Sequence, residues 1–225
     1  MRLTIAILLL FFCKFTFAQS IDIIDSLAIE MCESVKVNSN QTITNIDSIL
    51  LENYINSFIT NSQASDKDSL FLCIVLRLEK NCDEYSKIAF EQTENYGDWM
   101  MHTEQPISSL EKIDCDNFYD IERFSYLEST GDIVHLELKD GYWVDHFKDG
   151  TFSKLKLRKT NDCEFEIEFI ESNNNIRKNF SKKGDKYIYQ ILTQNTRFYE
   201  LSVQIPGKSI YYTFKLYYKR KFERG

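Results

Sequence analysis

His135, Glu137 and His146 are the residues best placed to do chemistry, because they flank the dipeptide Asp140-Gly141. Asp-Gly between alternating apolar residues is a strong hairpin signal. If it forms a two-residue loop, Lys139 pairs with Tyr142 and, four steps out, His135 stands opposite His146. Two imidazoles on one face beside a carboxylate suit an ion such as zinc or copper. The competing reading is a polar surface pair, since two ligands without a clear third do not define a site. A second dipeptide, Asp149-Gly150, complicates the register. A two-residue loop there pairs Val144 with Leu155 and Tyr142 with Leu157, which puts the histidines on the leucine face. Val134, Leu136 and Leu138 mark the opposite face as apolar. Both loops cannot be simple on a one-sided sheet. One must carry a bulge, or the strands are buried on both sides.

Other chemistry finds little support. The chain has no GxSxG, HExxH, Walker A or GxGxxG pattern. Three histidines and seven glycines leave few places for a phosphate-cradling loop or an oxyanion nest. Neither a catalytic residue nor a cofactor is expected beyond the histidine pair. The aromatic residues of the C-terminal strands could line a cavity for one small apolar ligand, or fill a packed core. Tyr211, Thr213, Lys215 and Tyr217 alternate as the outer row of the last strand, next to Lys219, Arg220 and Lys221. No RNA-binding signature accompanies this basic, aromatic surface, so no nucleic-acid partner is expected. A positive edge that resists aggregation explains the same residues. Asn40-Gln41-Thr42 and Asn179-Phe180-Ser181 match glycosylation sequons.

The elements that position these residues fall into two parts. Ile21, Ile24, Leu27, Ala28, Met31, Cys32 and Val35 recur at helical steps, as do Ile43, Ile46, Ile49, Leu50, Tyr54 and Phe58. A third run, Leu70 to Leu78, follows Asp66 and Asp68, which suit a helix N-terminus. It is apolar nearly all round and is expected to be the central, most buried helix. Residues 91–114 read as a connector with Pro106 and no clean period, with room for a short helix. From about Phe118 the period changes to two. Phe165, Ile167 and Phe169 alternate with Glu164, Glu166 and Glu168, and upstream Lys154, Lys156 and Arg158 alternate with Leu155 and Leu157. Joined as a hairpin, the two runs set a basic row against an acidic one, which fixes register. Further alternation at Tyr187–Ile191, Tyr199–Ile205 and Ile210–Tyr218, with the turn Pro206-Gly207, brings the count to about eight strands.

Export is written at the N-terminus. Arg2, the apolar run Leu3 to Phe12 and the small residues of Thr16-Phe17-Ala18 make a secretory signal peptide, residues 1–18. The run is too short to span a bilayer, and no later segment is long enough to do so. Lys14 is unusual there, and Phe12 before Cys13 argues against a lipoprotein. Removing the leader takes Arg2 and Lys14 from 27 basic residues, so 25 stand against 34 acids, a net charge of −9. Residues 19–150 hold 9 basic and 26 acidic residues, and residues 151–225 hold 16 and 8. Such asymmetry favours docking between the parts or separate charged partners, although ordinary solvated faces explain it too. Five cysteines follow the leader: Cys32, Cys73, Cys82, Cys115 and Cys163. An exported protein pairs them oxidatively, and an odd count leaves one over. Two of the first three are expected to bond, with Cys32–Cys82 favoured because it staples the first helix to the end of the third.

The stretch Asp162-Cys163-Glu-Phe-Glu-Ile-Glu-Phe-Ile170, then Glu171 to Lys178 and Lys182-Lys-Gly-Asp-Lys186, resembles a group of uncharacterised exported proteins of Bacteroidota-type bacteria. The likeness covers roughly residues 115–220, and Leu157 stands where such proteins often carry Trp. It implies a β-rich C-terminal domain and a Cys115–Cys163 disulfide, and it implies no activity. The expected fold is thus α+β: a helical part of about three helices over 19–100, a connector over 101–114, and an antiparallel β-meander or open barrel over 115–222. The expected function is a non-catalytic binding or structural protein of the periplasm or cell surface. A lipocalin-like carrier and a metal-dependent enzyme using His135 and His146 are the alternatives, and the partner is an unknown protein, glycan or small apolar ligand.

Overall fold

The computed structural model describes residues 16–92, 98–128 and 130–218. Residues 1–15 of the expected signal peptide and the basic run 219–221 lie outside them. The chain divides into two compact units, residues 1–88 and 89–225.

The first unit is helical. Helix α1 spans Thr16–Val37, and a second helical run comprises α2 (Ile43–Leu50), one π-helical turn (Leu51–Ile55) and α3 (Asn56–Asn61). Thr42 caps α2 by accepting from the Asn45 N–H. Helix α4 spans Lys67–Asn81, and Asp66 is its N-cap, accepting from the Ser69 N–H at 2.9 Å. A fourth run, α5 (Asp83–Gln92), starts in this unit and ends in the next. Helices α1 and α4 pack together, burying Ile24, Ala28, Met31 and Val35 of α1 and Ile74 and Leu78 of α4. The expectation for α4 needs correction. Phe71 stays 40% exposed, while Arg77 and Lys80 are buried. Arg77 reaches inward because Asp25 of α1 meets it with both carboxylate oxygens, at 2.5 and 2.8 Å, and Asn81 donates to the same carboxylate at 3.0 Å. A charge can be buried when its partner and its hydrogen bonds go with it. Cys32 and Cys82 form the expected disulfide, and Cys73, buried in α4, lies outside both disulfides.

The second unit is a barrel. A short strand β1 (Met100–His102) and helix α6 (Lys112–Phe118) precede strands β2 (Arg123–Leu127), β3 (Ile133–Lys139), β4 (Tyr142–His146), β5 (Phe152–Lys159) and β6 (Glu164–Ser172). Helix α7 (Asn175–Phe180) then leads to β7 (Lys186–Gln194), β8 (Phe198–Gln204) and β9 (Tyr211–Tyr217). Every neighbouring pair from β2 to β9 is antiparallel, and Ser125 of β2 pairs with Tyr217 of β9. Eight strands therefore close on themselves, which removes the free edges of an open sheet. The fold is α+β, helices followed by a closed antiparallel barrel. Phe118 ends a helix instead of opening a strand, and Met100–His102 is extended within the stretch read as a connector.

The turn chemistry explains the register. Asp140 and Gly141 both have positive φ, 53° and 78°, as a two-residue hairpin loop of the mirror-image type requires. Lys139 accordingly pairs with Tyr142, and His135 with His146. Asp149-Gly150 is the loop that departs from the simple form. It is one residue longer, with Gly150 at φ 80° and the Phe147 N–H donating to the Thr151 carbonyl at 2.9 Å. Trp143 therefore faces Leu155, and Val144 faces Lys154. Downstream, Lys156 sits opposite Glu168 and Arg158 opposite Glu166, the basic-against-acidic ladder that the sequence implies. Phe165, Ile167 and Phe169 all point inward and are buried.

Candidate functional site

The barrel interior is where a carrier would hold its ligand, and side chains occupy it. Phe118, on α6, is fully buried and touches rings from opposite walls. Its centroid lies 5.1 Å from Phe124 of β2, 5.7 Å from Phe165 of β6 and 5.2 Å from Tyr199 of β8. Phe165 stacks on Tyr189 of β7 at 5.2 Å, and Tyr189 meets Trp143 of β4 at 5.3 Å and, edge-on, Phe214 of β9 at 6.1 Å. These separations are those of offset-stacked and edge-to-face pairs in direct contact. The Cys115–Cys163 disulfide is present and ties the plug helix α6 to the start of β6.

A strap closes the seam where β2 and β9 share, among the described residues, one bridge. The Trp99 indole N–H donates to the Leu127 carbonyl of β2 at 2.6 Å, and its ring stacks on Phe214 of β9 at 4.5 Å. Asp98 accepts from Lys215 at 2.8 Å and from the Tyr217 hydroxyl at 2.5 Å, and Met100–His102 pairs along β9. The outer row Tyr211, Thr213, Lys215 and Tyr217 is therefore covered in part. Thr213 is buried beneath His102, whose ring nitrogen lies 3.0 Å from its hydroxyl. Tyr211, Lys215 and Tyr217 stay partly exposed.

One polar cluster lies inside the barrel wall, and the sequence reading missed it. Asp145 of β4 is only 5% exposed and accepts from the indole N–H of Trp143 at 2.9 Å. Arg177 of α7 reaches toward the same region. It pairs with Glu128, donates to the Tyr126 hydroxyl at 3.4 Å, and lies over the Phe147 ring at 5.5 Å. Burial pushes the Asp145 carboxyl up to about 6, against the opposing pull of Arg177 and the hydrogen bonds from Trp143 and Tyr126. The direction fixes the linkage. In the unfolded chain an Asp titrates near about 3.9, so between about pH 4 and 6 the folded state holds a proton that the unfolded state has lost. Ionised Asp145 thus costs the fold about 3 kcal/mol above pH 6, and that cost vanishes as pH falls toward 4. Urea unfolding of Asp145→Asn should show the variant more stable than the parent at pH 7.5, with the difference shrinking to near zero by pH 4. An unchanged difference across that range would contradict the assignment.

The expected metal residues lie on the outer face. His135 and His146 occupy opposed positions, both exposed, and His146 Nε2 stands 3.8 Å from Glu137 Oε2. As placed, the three ligand atoms do not all come within 4.8 Å of one another. Among the described residues, the trio that does is Cys32, Cys82 and Glu84, whose two sulfurs are already joined. An open groove of about 410 Å³ in the helical unit is lined by Leu27, Glu30, Asn53, Tyr54, Phe58 and Asn61, among others. No helix among the described residues is long and apolar enough to cross a membrane. The chain matches no protein-family model, no curated protein and no solved structure.

Proposed function

We propose that this is an exported, non-catalytic binding or structural protein of the periplasm or cell surface, acting through the outside of its barrel. The two disulfides fit an oxidising compartment, where such bonds form and persist. The observation that carries the reading is the run of touching rings from Phe118 through Phe165 and Tyr189 to Phe214. These rings take the space that a hollow eight-stranded barrel would offer a ligand. What remains for recognition is the wall: the charge ladder of β5 and β6, the histidine-bearing face of β3 and β4, and the loops.

A lipocalin-like carrier is the second reading, favoured by the closed antiparallel meander of eight strands. Fluorescence titration with an apolar naphthalene probe and with a long-chain fatty acid separates the two. No saturable binding is the expected result. One-to-one binding that Phe118→Ala strengthens would overturn the filled-barrel reading in favour of the carrier.

A further inference from the structure

We infer that His135 and His146, with Glu137 as third ligand, form a divalent transition-metal site on the outer face of the β3–β4 hairpin. The inference is independent of whether the barrel is filled, because it rests only on the outward-facing residues of two adjacent strands.

Three observations carry it. First, the register sets His135 directly opposite His146, and opposed residues of an antiparallel pair have Cβ atoms only about 4.5–5.5 Å apart. Two imidazoles rooted that close can bring a nitrogen each to a zinc ion at about 2.0–2.1 Å. Second, Glu137 lies two positions along β3 from His135, so it projects from the same face, and its carboxylate is already 3.8 Å from His146 Nε2. Third, the side chains are free to converge. His135 is exposed, and the side chains of His146 and Glu137 keep 52% and 37% of their surface in water. Binding therefore asks for rotation about side-chain bonds and leaves the backbone where it is. The turn at Asp140-Gly141 holds that backbone, so the strands are organised before the ion arrives.

The ligand set narrows the ion. Imidazole nitrogen suits zinc, copper and nickel, whereas calcium and magnesium call for oxygen ligands throughout. Two imidazoles and one carboxylate leave a position for water, a three-ligand arrangement. The neighbours set the strength. Arg123 of β2 sits opposite Glu137 and competes with a cation for the carboxylate. Ser125 opposite His135 and Phe152 opposite His146 bring no charge. The remaining histidine, His102, is engaged with Thr213 in the strap, so it does not mimic the signal.

The test is calorimetric titration of the purified, disulfide-bonded protein with Zn²⁺ at pH 7.5, and separately with Cu²⁺. The parent should bind one ion of each kind, and copper should bind tighter, following the affinity order of these ions. His135→Ala and His146→Ala should each weaken binding by about tenfold or more, since even outer-shell partners of a metal are commonly worth roughly 10–100-fold. Glu137→Gln should weaken it less. All four proteins should keep the same melting temperature without metal, because the positions are solvated. Zn²⁺ should then raise that temperature for the parent and not for His135→Ala/His146→Ala. Equal Zn²⁺ affinity in the parent and the double variant would overturn the proposal, as would binding that survives either single histidine replacement unchanged.

Discussion

Phe118→Ala should destabilise the protein by about 3–5 kcal/mol, the cost of removing a fully buried ring whose neighbours cannot close the space. The neighbours are fixed by their own strands. Phe124, Phe165 and Tyr199 come from β2, β6 and β8, and closing the hole would mean pulling three walls of a hydrogen-bonded barrel inward. Phe118→Leu refills part of the volume and should cost clearly less. Urea unfolding, followed by the near-ultraviolet circular dichroism of the aromatic core, measures both. A loss under about 1 kcal/mol for the alanine variant would mean that the ring is not packed as described, since buried Phe→Ala changes rarely cost so little.

The second large effect belongs to the Cys115–Cys163 disulfide. It closes a loop of 48 residues, which on chain-entropy grounds is worth about 4 kcal/mol. Its position adds to that, because Cys115 sits on the same short helix as the plug residue Phe118. Replacing both cysteines by alanine should lower the unfolding midpoint in urea by an amount equivalent to more than about 4 kcal/mol. The paired replacement of Cys32 and Cys82 provides the comparison, since its loop of 50 residues has nearly the same entropic value. A larger loss for the Cys115–Cys163 pair is the expected outcome, because freeing α6 also loosens the plug. Equal losses would show that the bond acts on the unfolded chain alone.

The sequence makes some of this legible and hides the rest for physical reasons. Phe165, Ile167 and Phe169 announce their inward face by strict alternation with three glutamates, and a half-buried strand has few other ways to be written. The pairing of His135 with His146 follows from Asp140-Gly141, whose positive φ values admit only a tight loop. The second loop shows how fragile such counting is. A two-residue form at Asp149-Gly150 pairs Val144 with Leu155, whereas the observed three-residue form pairs Trp143 with Leu155. One residue of slip reverses every side chain of a strand. That conflict hid Asp145: the Asp140-Gly141 register sets it opposite Leu136 on the apolar face, and only the longer second loop lets Leu155 share that face. The signal was Trp143 and Asp145 sharing a period of two.

Helix α6 was legible only as room for a short helix within residues 91–114, and it runs on to Phe118. Seven residues with three charges carry no helical period of their own, and the helix exists because Phe118 and Cys115 are held from outside. Barrel closure is also a long-range event. Ser125 meets Tyr217 across most of the unit, and the strap of Asp98 and Trp99 that covers the seam has no local pattern to betray it. Arg77 in α4 breaks the rule that charges mark the wet face, since its partner Asp25 lies 52 positions away.

The filled interior is the claim on which the rest turns, and ring-to-ring contacts in solution test it most directly. Nuclear Overhauser measurements on protein with labelled aromatic side chains should connect Phe118 to both Phe165 and Tyr199. They should also connect Tyr189 to Trp143 and Phe214. Missing cross-peaks between these pairs, with the ring protons instead seeing water or a co-purified lipid, would contradict the account and leave a hollow barrel in its place.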